Sequence, residues 1–347
     1  MPAAEVEAAS SLADAELSDL LDRFSLYPAL VLAVSGGPDS FGMLAAFARW
    51  RAGARGGPVL HVATIDHGLR PEAAGECTAV VAAAERLGMA AAKLDWLGDK
   101  PAAGLQEAAR QARYRLLADH ARAVGVPVVV VAHTLSDQAE TVLMRLARGS
   151  GPLGLKGMAA TSRREGVEIA RPFLWVTGAR LAATARAFGL DPIADPSNGD
   201  DRFTRVRMRR LMALLEPEGL DAERLAVLAG RMQMLDEALA RQADMLADAC
   251  AQPSVAPGTK VFDGSGWLSE PFAAVQALLA RAIAETGDTA IAERLEALEA
   301  LTGAVLMAIA GGSAHRETLR GAAVQVTAGG RVIVAREPAR RPPNPAG

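Results

Sequence analysis

Ser35-Gly36-Gly37-Pro38-Asp39-Ser40 stands between a wholly apolar run, Leu30 to Val34, and a stretch of helical composition. Each residue type has a use at such a junction. Glycines allow a backbone with positive φ and let an anion approach closely. Pro38 suits the first position of a helix, where its missing N–H is no loss. The helix start then offers unpaired N–H groups and the positive end of its dipole, and Ser35 and Ser40 add hydroxyls. The string reads as a phosphate cradle. Asp39 is out of place beside phosphates unless a divalent cation lies between, so the expectation includes Mg2+. The loop lacks the Gly-Lys-Ser/Thr ending of a Walker A motif and is not a G-x-G-x-x-G turn.

Further side chains suit proton transfer and charge neutralisation. His133 ends the apolar run Val126 to Ala132, and Asp137 and Glu140 follow it; any of the three could take up a proton. The competing reading makes Thr134 to Asp137 a capping box and has Glu140 pair with Arg145 or simply face solvent. Gln106, Arg110 and Arg113 fall near one face of a helical stretch, where they would meet a triphosphate or RNA, or simply face solvent. Asp66, His67 and Arg70 follow another strand end, as ligand contacts or as a turn with its own charge pair. Arg202, Arg205, Arg207, Arg209 and Arg210 form the densest basic cluster. Such a patch neutralises RNA phosphates, or is a solvated helix face. The chain has four lysines, Lys93, Lys100, Lys156 and Lys260, so nearly all its positive charge is arginine. That bias weakens any reading of arginine clusters alone.

The elements that must position these residues alternate between strand and helix, the pattern of a parallel sheet covered on both faces. Strands are expected at 30–34, 59–65, 90–95 and 126–132, with helices at 38–53, 71–87, 105–124 and from about 133 to 147. The apolar runs are those of buried parallel strands. A short strand at 167–170 and a helix at 177–188 follow, then a turn-rich connector at 191–199. Residues 205–249 read as helical with few breaks, and 317–336 as a hairpin around Gly329-Gly330. Residues 1–27 read as an acidic amphipathic helical extension, 28–216 as the catalytic domain, 217–337 as a smaller, mainly helical domain, and 338–347 as a disordered tail.

The 347 residues suit two domains, and a hydrophobic fraction of 50% supplies a sizeable core. No apolar run approaches the roughly 20 residues of a membrane helix, and the acidic start is not a secretory signal. Cys77 and Cys250 form no C-x-x-C pair, which speaks against a disulfide scaffold, a zinc site or an iron–sulfur cluster and for a reducing cytoplasm. The net charge of −3 does not announce a nucleic-acid binder.

With the strand before it, the S-G-G-x-D-S loop resembles that of the PP-loop ATPases, which cleave ATP between its α- and β-phosphates. Further blocks are similar to tRNA(Ile)-lysidine synthetases over about 28–215. They are Asp66-His67-Gly68-Leu69-Arg70, Gln106 to Arg110 with Ala112-Arg113-Tyr114, Ala132-His133 with Asp137 to Thr141, Arg148 to Gly151, Arg171-Pro172-Phe173-Leu174 and Asp195 to Asn198. The family often has His-His-x-Asp-Asp where this chain has His133-Thr134-Leu135-Ser136-Asp137, and Arg-Asn where it has Arg205-Val206.

The resemblance implies an α/β, Rossmann-like PP-loop domain with a parallel sheet, and a reaction. The C2 oxygen of the wobble cytidine of tRNA(Ile) with a CAU anticodon attacks the α-phosphorus of ATP. Free L-lysine then displaces AMP from C2 and leaves lysidine. Ser35 to Ser40 would hold the phosphates and Asp39 and Asp137 the Mg2+. Arg113, His133, Asp137 and Glu140 would be catalytic, and Asp66, His67, Arg70 and Arg110 would touch nucleotide or lysine. Arg202, Arg205, Arg207 and Arg209 would bind RNA. Oligomeric state stays open, a homodimer included. Two alternatives remain at this point: another PP-loop tRNA-modifying enzyme such as a thiolase, and a non-catalytic RNA-binding relative.

Overall fold

The computed structural model describes residues 9–53, 57–101, 103–193, 204–254, 256–287 and 295–337. The chain divides into two compact units, Met1–Arg148 with Lys156–Ala229, and Gly149–Leu155 with Gly230–Gly347.

The first unit is a six-stranded sheet in the order β3-β2-β1-β4-β6-β5. Its strands are β1 (Ala29–Ala33), β2 (Val59–Asp66), β3 (Ala90–Asp95), β4 (Val128–Val131), β5 (Thr161–Arg164) and β6 (Val167–Ala170). β1 to β4 and β6 are mutually parallel, and β5 runs antiparallel to β6. All four valines of β4 are buried, as a central strand covered on both faces requires. Each contributes about 1.5–3 kcal/mol by leaving water. The carboxyl ends of β1, β2 and β4 lie side by side and carry Ser35, His67 and His133 just beyond them.

Helices α2 (Pro38–Gly53), α3 (Ala73–Arg86) and α6 (Gly178–Ala187) pack on one face of this sheet, through a core that includes Leu32, Phe41, Phe47, Val80 and Leu181. Helix α4 (Leu105–Ala123) packs on the other, through Tyr114, Leu117, Ala118 and Ala121 against Val31, Val129 and Ile169. α5 (Leu135–Leu146) follows β4 and carries α7 (Thr204–Leu215) against it. Of the expected amino-terminal helix over 1–27, residues 1–8 lie outside the described residues; over 9–27, α1 covers Asp14–Leu21, with a tight 3₁₀ turn at Asp22–Leu26. It belongs to this core, because Leu12, Leu17, Leu21 and Phe24 are buried there. Arg180 of α6 fixes it by donating to both oxygens of Glu16 at 2.7 Å.

The sequence expectation passed over β5. Thr-Ser-Arg-Arg has no apolar face, and its strand character comes from pairing at the sheet's edge, through a turn with positive φ at Glu165 and Gly166.

The second unit holds the later part of α8 (Ala222–Cys250), α9 (Phe272–Thr286), α10 (Leu295–Ala310) and a four-stranded antiparallel sheet ordered β7-β10-β9-β8. The strands are β7 (Lys260–Asp263), β8 (His315–Leu319), β9 (Ala322–Val326) and β10 (Arg331–Arg336). Trp267, Leu279, Leu301, Val324 and Val332 are among its core. The expected hairpin around Gly329-Gly330 joins β9 to β10. The piece before it is two strands, folded at Arg320-Gly321 where both residues have positive φ. The expected boundary near 216 falls at the turn between α7 and α8, whereas the compact units divide within α8. The tail 338–347 lies outside the described residues.

Candidate active site

The loop between β1 and α2 is braced from within. Ser40 is buried; its hydroxyl donates to Gly37 O at 2.9 Å and accepts from Ser35 N at 3.2 Å. Ser35 Oγ lies 3.2 Å from Ser40 Oγ, and Ser35 itself is exposed. Ser40 therefore shapes the loop, and the hydroxyl open to a ligand is that of Ser35. The expectation of two positive-φ glycines holds for one. Gly36 has φ +88°, and a Cβ there would lie 2.7 Å from Ile193 Cδ1, whose backbone N–H donates to Gly36 O at 2.9 Å. Gly37 is not in the left-handed region, and a Cβ on it would meet nothing nearer than Ser35 Oγ at 3.8 Å. Gly36 is required by conformation and space, whereas Gly37 leaves the front of the loop open. The free N–H groups of the α2 start face that opening.

Asp39, in the first turn of α2, lies among other acids. Burial, helped by the charges of Asp137 and Glu140 and opposed by Arg209, pushes its carboxyl up to about 6. Room for it comes from Gly178 at the start of α6, where a Cβ would stand 2.8 Å from Asp39 Oδ1.

Asp137 and Glu140 are three apart on α5, and Arg205 and Arg209 are four apart on α7, so each pair lies on one helix face and the two faces meet. Arg205 Nη1 is 3.3 Å from Asp137 Oδ1, and Arg209 Nε donates to Glu140 Oε1 at 2.9 Å. Asp137 Oδ2 accepts from the backbone N–H of Thr134 at 3.0 Å and from its hydroxyl at 3.2 Å. The cap is real, and it leaves Oδ1 to face the site. Glu140 is fully buried, and its Oε2 has no hydrogen-bond partner. Burial, reinforced by Asp137, raises its carboxyl, with Arg209 opposing. Glu140 does not take Arg145, which donates to Gly157 O at 2.9 Å.

His133 is half-buried, with Nδ1 unpartnered; burial and the charges of Arg113, Arg171, Arg205 and Arg110 drive its pKa well down and hold it neutral. Arg113 also influences His67, whose Nδ1 is buried without a partner and whose ring stands edge-on to Trp96 at 6.0 Å. Asp66 and Arg70 are occupied otherwise. Asp66 accepts from Gly68 N at 2.8 Å and pairs with Lys93 at 3.0 Å, which together hold its carboxyl low, and Arg70 pairs with Glu76 at 3.0 Å. Arg110 and Arg113 lie in the amino-terminal half of α4, and their charges reach His133. Arg207 is exposed on α7, and Arg202 falls outside the described residues. Two contributors came without a sequence signal for their role: Gly178, and Arg164 on the unforeseen strand β5. Arg171 is visible in the sequence only as part of a motif.

Among the described residues no three His, Cys, Asp or Glu side chains converge as metal ligands. The donor set still fits Mg2+, which is bound through one or two carboxylates plus phosphate oxygens. Asp39, crowded by two acids, and the orphaned oxygen of Glu140 are the observations that favour a cation.

A PP-loop domain family matches residues 11–215. A tRNA(Ile)-lysidine synthase of Methylobacterium nodulans is 48% identical over 341 residues, covering 96% of this chain and 99% of its own. One from a Bradyrhizobium species is 45% identical over 341 residues, covering 95% and 94%. In fold the chain is similar to the U34-tRNA thiolase NcsA from Methanococcus maripaludis, at a TM-score of 0.54 and 16% identity over 63% of this chain and 77% of that one. The relatives' match runs through the carboxyl-terminal third, beyond the blocks that carry the motifs. With a braced phosphate loop facing the carboxylates of α5, and with this likeness along nearly its whole length, the chain belongs to the tRNA(Ile)-lysidine synthase family of PP-loop proteins.

Proposed function

We infer that the protein uses ATP to join free L-lysine to C2 of the wobble cytidine of tRNA(Ile) bearing a CAU anticodon, releasing AMP and pyrophosphate. The observation that carries this reading is the pair Asp137 and Glu140 beside Asp39 of the phosphate loop. It sets acidic groups suited to an ammonium next to the place where a triphosphate would lie.

Each step asks something of a named group. The N–H groups of the α2 start and the Ser35 hydroxyl hold phosphate oxygens and orient the α-phosphorus for in-line attack by the cytidine oxygen. Asp39, with Asp137, holds Mg2+, which when bound neutralises charge on the phosphates. Glu140 and Asp137 bind the ε-ammonium of lysine. Glu140, raised by burial, then takes its proton so that the free amine can attack. His133, kept neutral, offers a hydrogen bond without adding charge. No helix among the described residues is long and apolar enough to cross a membrane, in keeping with a cytoplasmic tRNA substrate.

The thiolase alternative needs a reactive thiol. Cys77 and Cys250 are both buried, they lie in different units, and burial raises each thiol's pKa, so neither is poised to react. The deciding experiment is mass spectrometry of tRNA(Ile) incubated with the protein, ATP and isotopically labelled lysine. The label appears in one anticodon nucleotide, with stoichiometric AMP. AMP release that ignores lysine would remove the reading.

A further inference from the structure

Arg110 and Arg113 of α4, Arg164 of β5 and Arg171 after β6 gather around one phenol, that of Tyr114. The Arg164 guanidinium lies 4.4 Å from the ring centroid and that of Arg110 5.2 Å. The charge of Arg171 acts on the same phenol. Arg171 is 8% exposed; its Nη1 donates to Ala159 O and Ser162 Oγ at 3.0 Å each, and its Nε is buried with no partner. Among the described residues, none of the four guanidiniums has a carboxylate within ion-pair distance.

Four like charges around one ring repel one another, and a buried guanidinium without a counter-charge costs more than ring stacking returns. Such a group persists where an anion completes it. Tyr114 registers the imbalance: burial alone would push its phenol up, yet the arginines outweigh burial and hold it below its usual value. The group also lies at the right edge of the sheet. Arg171 directly follows β6, and Arg110 and Arg113 lie in the amino-terminal half of α4, the helix that packs on the sheet face opposite α2. Arg110, Arg113 and Arg164 are half-buried and reachable.

We propose that Arg110, Arg164 and Arg171, gathered on Tyr114, form a second phosphate site, separate from the loop at Ser35–Ser40, that holds a backbone phosphodiester of the bound tRNA. A guanidinium fork matches two phosphate oxygens at once. A contact to the RNA backbone fixes register without reading sequence, as needed to present one cytidine. Pyrophosphate from ATP is the other source of the same chemistry. The proposal rests on the tRNA reading above.

The test uses the full chain carrying Arg164→Ala, with Arg164→Gln as a second variant that keeps the stem and the planar end if the first fails to fold. Three quantities are measured: the Kd for tRNA(Ile) over a salt series, the Kd for a non-hydrolysable ATP analogue, and inhibition by inorganic pyrophosphate. The expected result is tRNA binding weakened roughly fivefold, with a log–log salt slope shallower by about 0.7 to 1. The affinity for the ATP analogue and the pyrophosphate inhibition stay unchanged. Weaker pyrophosphate inhibition with an unchanged salt slope would support the phosphate site with pyrophosphate as its occupant. If neither arm moves in a folded variant, the proposal is overturned. A wild-type protein that binds no tRNA would instead sink the functional reading, and the pyrophosphate arm would still report on the arginines.

Discussion

Arg205 and Asp137 meet across the contact between α7 and α5, Nη1 to Oδ1 at 3.3 Å, while the other oxygen of the same carboxylate is tied to the Thr134 N–H at 3.0 Å. One side chain thus fixes the start of α5 and faces the site, and its two oxygens divide the tasks. The cap costs the site nothing, because it orients the oxygen it leaves to Arg205 and the site.

This division can be separated by mutation. Asp137→Asn keeps an acceptor for the Thr134 N–H, so its unfolding midpoint should stay near that of the parent. Its lysidine formation should fall by about 100-fold or more for want of charge. Asp137→Ala should lose both, with stability lower by about 1 kcal/mol. Urea unfolding beside a lysine-incorporation assay checks the pair. An active Asp137→Asn would confine this residue to capping.

Arg209 opposes the upward push that burial gives the Glu140 carboxyl. Arg209→Ala should therefore raise that carboxyl further and leave more of it protonated. The KM for lysine should rise, and the ratio of mutant to parent KM should be larger at about pH 6 than at about pH 8, while the KM for ATP moves less. A ratio independent of pH would mean that Arg209 acts on the site by another route.

Asp39 gives a stability signature of defined sign. Its folded pKa is about 6 against a reference of 3.8, so its contribution favours the folded state below about pH 4 and is lost as pH rises through 6. Asp39→Asn should consequently be more stable than the parent at neutral pH without Mg2+ or ATP, by an amount of order 1–3 kcal/mol, and inactive. The gap should close in acid. Denaturation at several pH values measures it, and Mg2+ should narrow it by stabilising the parent alone.

The protein has two tyrosines, and they should titrate apart. Burial and the charge of Glu168 raise Tyr27, whereas the arginines lower Tyr114. Tyrosinate absorbance should show two steps, with Tyr27→Phe removing the upper and Tyr114→Phe the lower. A single step at the ordinary phenol value would contradict the electrostatics of the arginine group.

What the sequence revealed and what it hid follow from where the information lies. Buried parallel strands such as Val128–Val131 are written in unbroken apolar runs, and the loop at Ser35–Ser40 is local, so both are legible. β5 is polar and exists by pairing with β6. The Arg320-Gly321 turn lacks the Asn-Gly or Asp-Gly signal of a tight hairpin, so β8 and β9 read as one piece. The facing of Asp137 by Arg205 spans 68 residues, and the contact of Arg164 with Tyr114 spans 50 in the numbering, so neither helix periodicity nor local motif encodes them. Even the braced Ser40 hydroxyl, within a legible motif, took its role from a geometry that residue types leave open.

Gly42 lies so close to α6 that a Cβ on it would stand 2.3 Å from the carbonyl oxygen of Leu181. The two helices touch backbone to backbone, and α6 begins at the glycine that gives Asp39 its room. Anyone grafting the six-residue loop onto another strand–helix scaffold would therefore have to transplant α6 as well, because the donor's chemistry depends on a helix that carries none of it.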